Sequence, residues 1–205
     1  KKITFMEVCQ MKIVKMEKRV KTKNISYFNP PVTNTKPVEK MSYVDVYQLV
    51  TSGTLVDITN EIRSLCNPDL VKDLKATKLP HITPSGIFYT RCDDGLKYHN
   101  ETICIDIDDM ESEEQLQETK RILINDPCFY TLMLFRSPSG NGLKWFTPID
   151  LSQCGHRKWF EAIRNYLYQT YGIVADEKCV NTSRSCFLCH DAEAYACEEI
   201  MNNIN

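Results

Sequence analysis

No apolar run in the sequence approaches the ~20 residues of a membrane span, and none has the h-region of a secretory leader. No internal repeat is visible, and no Gly-x4-Gly-Lys-Ser/Thr string is present, which argues against a P-loop ATPase. Net charge is almost lacking, at -2. The hydrophobic share of 42% and charged share of 25% are those of an ordinary globular chain. Membrane-spanning, collagen-like, coiled-coil and disordered classes are therefore excluded. We expect a cytoplasmic protein with no membrane partner.

At 205 residues and 23.8 kDa, the chain has the length of one domain, with or without an arm. Such a chain buries roughly 70% of its unfolded surface, so it needs no disulfide or metal to fold. Its charge is unevenly placed. Residues 1–40 carry ten Lys/Arg against three Glu, and residues 41–205 carry fifteen Lys/Arg against twenty-four Asp/Glu. We divide the chain there, into a basic arm with a Pro-rich linker and an α+β domain. A basic arm on an acidic body can hold a polyanion near a metal site, or can simply be a solvated tail. The ten cysteines are irregularly spaced and several lie in apolar runs, so we read them as reduced, buried core residues. The Cys186-Phe-Leu-Cys189-His190 string, with Cys179 and Cys197 nearby, leaves zinc as a lesser alternative and haem as a remote one.

Periodicity and capping chemistry place the elements. Residues 2–8 suggest a strand, and the prolines of 28–40 forbid a helix there. Ser42 with Asp45 makes a capping box for a helix that stops near Gly53. A second helix covers about 55–65, and Asn67-Pro68 opens a third. Strands are expected at Ile87–Arg91, at Thr102–Ile107 as a central strand, at Phe129–Phe135, at Leu143–Thr147 and at Ser185–Leu188. Ser112 caps a helix to about Asn125. His156–Tyr171 is an amphipathic helix ended by Gly172, and 191–204 reads as helical. The class is α+β, a mixed or antiparallel sheet flanked by helices.

Three segments carry candidate chemistry. Asp106 and Asp108 close the Thr102–Ile107 strand two residues apart, on one face and ~7 Å from each other. Like charges so placed repel unless a proton or cation intervenes, and oxygens so placed suit Mg²⁺ or Mn²⁺. The bland alternative is a turn whose acids meet water. Ser137-Pro-Ser-Gly-Asn-Gly142 joins two strands, and its glycines allow close approach of backbone N–H groups to an anion. Ser139 adds a hydroxyl and Lys144 a phosphate-directed charge. A plain hairpin turn is the alternative. Finally Asp176 follows an apolar triplet, and Arg184 comes eight residues later.

In this order the segments resemble the archaeo-eukaryotic primase superfamily, whose core carries an acid pair, a Ser-x-His-type motif and a later acid. Asp106-Ile-Asp108 resembles the first, Ser139-Gly-Asn-Gly-Leu-Lys144 the second and Val174-Ala-Asp176 the third. More closely, residues 78–197 are similar to the N-terminal domain of virulence-associated protein E-like proteins of mobile elements. The further residues that carry this likeness are Lys78-Leu-Pro, Ser85-Gly-Ile-Phe88 and Ser183-Arg-Ser-Cys-Phe-Leu-Cys-His-Asp191-Ala-Glu-Ala-Tyr195. The resemblance implies a primase-like (RRM-like) catalytic core and a primase-polymerase-type nucleotidyltransferase. Asp106, Asp108 and Asp176 would hold the metal. Ser139, Gly140, Asn141, Gly142, Lys144 and Arg184 would bind a nucleoside triphosphate. Arg91, with the arm, would track single-stranded or primed nucleic acid, alongside a helicase domain or protein. One departure stands out: the family histidine of the second motif is Lys144 here. Lysine binds phosphate but shuttles protons poorly, so a catalytically degenerate binding module is the second expectation. A metal-dependent phosphodiesterase is the third.

Overall fold

The computed structural model describes residues 24–204. The strand expected at residues 2–8 and most of the basic arm lie outside the described residues. The capping chemistry holds where it was expected. Helix α1 (Tyr43–Thr51) starts from Ser42, whose hydroxyl accepts from Asp45 N while Asp45 accepts from Ser42 N. Helix α2 (Val56–Ser64) follows a single 3-10 turn. Helix α3 (Pro68–Lys78) starts from Asn67 with Pro68 in its first turn. Helix α4 (Glu113–Ile124) is capped by Ser112. Helix α5 (His156–Tyr171) ends at Gly172, whose φ of +70° needs no Cβ to be accommodated.

The strands form two four-stranded antiparallel sheets and a hairpin. The first sheet has the order β2 (Glu39–Ser42), β1 (Asn24–Phe28), β3 (His81–Thr83), β9 (Cys186–Phe187). The second has the order β10 (Tyr195–Ala196), β7 (Met133–Arg136), β8 (Leu143–Pro148), β6 (Thr102–Ile107). The hairpin pairs β4 (Gly86–Phe88) with β5 (Leu96–His99). Alternation along the second sheet creates two cores. Ile103, Ile105, Ile107, Leu134, Leu143 and Trp145 face α4 and α5. Cys104, Met133, Phe135 and Phe146 face the first sheet and α1. Asp106 and Lys144 share the parity of Cys104 and Phe146, so they stand on the face turned toward the first sheet.

Four expectations are corrected. Residues 24–40, read as arm and linker, contribute β1 and the start of β2, and Ile25 and Phe28 are fully buried. The sheet chemistry of Asn24–Phe28 was hidden by the prolines that follow it. Strand β6 lies at the end of its sheet's hydrogen-bonded order rather than centrally. It is still buried throughout, because the chain returns along its outer side and Asp176 N–H donates to Asp106 O at 2.9 Å. Residues 191–204 are mostly not helical: Tyr195 and Ala196 pair with β7, and only Glu198–Met201 forms a helix, α6. Strand pairing on an open edge outweighs local helix propensity there. Of the cysteines, Cys66 and Cys92 are exposed, whereas Cys179, Cys186, Cys189 and Cys197 are buried as free thiols.

His81 of β3 is fully buried, stacked on Phe28 at 4.9 Å and edge-on to Phe187. Neither ring nitrogen makes a hydrogen bond of normal geometry. Burial, then the Arg91 guanidinium, pull its pKa down to about 4, against a weaker opposing pull from the Asn34 backbone. His156 is held to about 3 by burial and by its neighbours His99 and Arg157. The unfolded chain therefore binds protons that the folded chain refuses. The stabilisation is complete above an unfolded histidine pKa of about 6.5 and is lost as pH falls toward 4. We expect the melting temperature to drop across that window. In His81→Phe the drop should shrink by the equivalent of at most ~3 kcal/mol. An unchanged slope in His81→Phe would show that His81 does not cause the acid sensitivity.

Candidate functional site

The site lies where β6 ends and the β7–β8 loop folds against it. Register sets Asp106 directly across from Lys144. Their side chains, 10% and 11% exposed, meet at 2.5 Å between Asp106 Oδ2 and Lys144 Nζ. Burial alone would lower the lysine pKa. The Asp106 charge, with smaller contributions from Cys186 and Asp108, reverses this and holds it well above the ordinary value. The Cys179 thiol donates to the same carboxylate oxygen at 3.3 Å, and burial together with Asp106 keeps that thiol protonated.

Past β6 the backbone turns at Asp109, which has a φ of +57°. Asp108 is exposed beside this turn. Its pKa is raised by partial loss of water, opposed by Lys144 and reinforced by Asp106, Asp176 and Asp109. Asp108 and Asp176 line a cleft of about 660 Å³ with Asp109, Gln115, Glu118 and Lys178. Asp176 caps the turn Glu177–Cys179 through Lys178 N–H, and its Oδ2 lies 3.9 Å from Arg184 Nη2. Acids from two distant segments, Asp108 and Asp176, thus line one cleft, while Asp106 does not line it and is engaged with Lys144.

The Ser137–Gly142 loop is tied to the acid turn, with Met110 N–H donating to Asn141 O at 2.9 Å. It closes on itself through Ser137 N–H to Gly142 O at 2.8 Å and Gly140 N–H to Ser137 O at 3.0 Å. Gly142 is obligatory: a Cβ there would sit 2.7 Å from Ile107 O and 2.8 Å from Asp108 Oδ1. Gly140, at φ +87°, packs on the Arg63 side chain. Ser139 Oγ accepts from Lys75 Nζ at 3.0 Å.

Not every expected residue joins the site. Arg91 donates from Nη2 to Val32 O at 2.5 Å, and its backbone N–H donates to Thr35 O at 2.8 Å. Its guanidinium therefore fastens the loop after β1, which is a structural task. Arg184 stands beside Asp176 rather than at the glycine loop. Three residues were missed: Lys75 of α3, Arg63 of α2 and Cys179. Nothing local marks the first two, because each reaches the loop from helices more than sixty residues away. Cys179 could have been suspected from its place three residues after Asp176.

The model of the BT4734-like, N-terminal domain family matches residues 74–195, more than half of the chain. The chain belongs to this family. No curated protein and no solved structure matches it. The part of the BT4734-like domain that the match spans includes Lys75, the acid strand, the glycine loop, Asp176 and Arg184.

The carboxylates of this BT4734-like domain fit a hard divalent cation in donor type, and loss of water, helped by the neighbouring acids against Lys144, disfavours the ionised form of Asp108. The set is not closed, however. Among the described residues no group of three or more His, Cys, Asp or Glu side chains is disposed to hold a metal ion. Lys144 already neutralises Asp106. Removing one member of so buried a pair leaves the other charge stranded. Asp106→Leu or Lys144→Met should each cost about 3 kcal/mol, and the double variant less than their sum. Urea unfolding of the four proteins measures this, and strictly additive costs would show the two side chains to be uncoupled.

Proposed function

We propose that this BT4734-like domain is a primase-polymerase-type nucleotidyltransferase domain acting on a nucleic-acid template, with a mobile-element or replication role. The observation that carries the proposal is the gathering of Asp106, Asp108 and Asp176 beside a glycine loop flanked by cations. Acids beside a loop that cations reach suit a substrate that carries both a reacting phosphoryl group and a polyanionic tail. Asp106 and Asp108, with Asp176, would hold Mg²⁺ or Mn²⁺. The bound metal would supply activation of the attacking hydroxyl and neutralisation of the leaving pyrophosphate.

The chain's own residues do the rest. The Ser137–Gly142 loop orients the phosphates through backbone and hydroxyl donors. Lys144 occupies the place of the family histidine but starts out bound to Asp106, so it serves as a charge and not as a proton shuttle. Arg184, paired with Asp176, sets the direction of that carboxylate. The same Lys144–Asp106 pair favours a second reading, a nucleotide- or nucleic-acid-binding module without polymerase activity, because it withholds an acid from any metal.

The deciding experiment combines the protein with single-stranded template, nucleoside triphosphates and Mn²⁺. We expect a new or extended strand, and none from Asp106→Ala/Asp108→Ala. An unchanged strand that is nevertheless bound in a salt-sensitive way would establish the second reading. A shortened strand would indicate phosphodiester hydrolysis.

A further inference from the structure

The surroundings of the glycine loop hold more positive charge than the acid cluster explains. Lys75 reaches Ser139 from α3, and Arg63 reaches the loop from α2, donating from Nη2 to Ser137 O at 3.2 Å and to His190 O at 3.3 Å. Among the described residues neither cation forms an ion pair within 4.0 Å. Two polar atoms at the same place are buried without a hydrogen-bond partner, Ser137 Oγ and Arg63 Nε. Ser137 is only 2% exposed, and its hydroxyl lies 3.1 Å from the position a Cβ on Gly142 would take, so it faces the interior of the loop. Folding has thus brought unpaired cations and unsatisfied donors to one short loop, an arrangement that costs stability unless an anion completes it.

We infer that Lys75, reaching the Arg63-braced Ser137–Gly142 loop from α3, is the principal cation for the phosphate tail that this loop would seat. This rests on the nucleotidyltransferase reading for the identity of the anion. Lys75 fits the task better than Arg184, which stands at the Asp176 side of the site. Arg63 has its Nη2 spent on two carbonyls and so braces the loop, while Lys75 holds only a hydroxyl that a phosphate oxygen can replace. Gly140 leaves the Arg63 side chain in contact with the backbone, and Gly142 leaves the loop narrow. The missing Cβ at Gly140 lets a guanidinium lie close to the main chain, whereas at Gly142 the space is taken by Ile107 O and Asp108 Oδ1.

Calorimetric titration of the whole chain with inorganic tripolyphosphate, without divalent metal, tests the seat. We expect saturable binding, weakened tenfold or more by Lys75→Ala and largely retained by Lys75→Arg. Lys72→Ala, an exposed lysine on the same helix, should bind as wild type. Melting curves of the variants confirm that each is folded. Absence of tripolyphosphate binding, or equal binding by Lys75→Ala, would overturn the inference. So would Lys75 dependence seen only with a single-stranded oligonucleotide, which would assign the cation to a nucleic-acid backbone. The outcome is separable from that of the polymerase assay. Lys75-dependent tripolyphosphate binding by a protein that incorporates no nucleotide sinks the enzyme and keeps the seat. Nucleotide incorporation at an unaltered KM in Lys75→Ala keeps the enzyme and sinks the seat.

Discussion

The ion pair between Asp106 and Lys144 governs the rest of the site. A carboxylate placed on the inner face of a buried strand would be intolerable alone, and the opposing strand supplies an ammonium in direct register. One residue pair beyond it, Ile107 with Leu143, β6 ends and β8 begins, and both strands give way to polar loops. Those loops are the Asp108–Met110 turn and the Ser137–Gly142 loop, hydrogen-bonded to each other. Cys179, donating to Asp106, locks the third segment to the same point.

This constraint gives Lys144 two competing chemistries. It neutralises the innermost acid, which stabilises the fold, and leaves Asp108 to face the cleft beside Asp176, whose own partner is Arg184. Two further cations, Lys75 and Arg63, reach the neighbouring glycine loop, where they donate to a hydroxyl and to carbonyls. The electrostatics are graded across the site, from a neutralised pair inside, through an acidic cleft on one side, to an unpaired basic loop on the other.

Much of the secondary structure is readable from short-range chemistry. Ser42 with Asp45, Asn67 with Pro68, Ser112, and Gly172 after Tyr171 each settle a helix boundary within a few residues. The spacing of Asp106 and Asp108 likewise marks the acid strand, and the glycines of 137–142 mark the loop, because both are patterns of neighbouring residues. Three readings failed, two of them for nonlocal reasons. Strand β1 was masked by adjacent prolines, β6 became an edge strand shielded by a returning segment, and Tyr195–Ala196 joined β7 instead of continuing a helix. Lys75 and Arg63 carried no motif at all, and Arg91 carried a charge that turned out to hold a loop.

By itself the sequence determined the limits of the capped helices, the alternation of side chains along the acid strand, and the residue types available for chemistry. These depend on interactions spanning a turn or a pleat, so the order of residues suffices. Only the tertiary structure decided strand order, the Asp106–Lys144 register and the meeting of Lys75 with Ser139. Those contacts join residues 38 and 64 positions apart. They form only when the apolar faces of several elements pack together, and no local pattern encodes which partners that packing will choose.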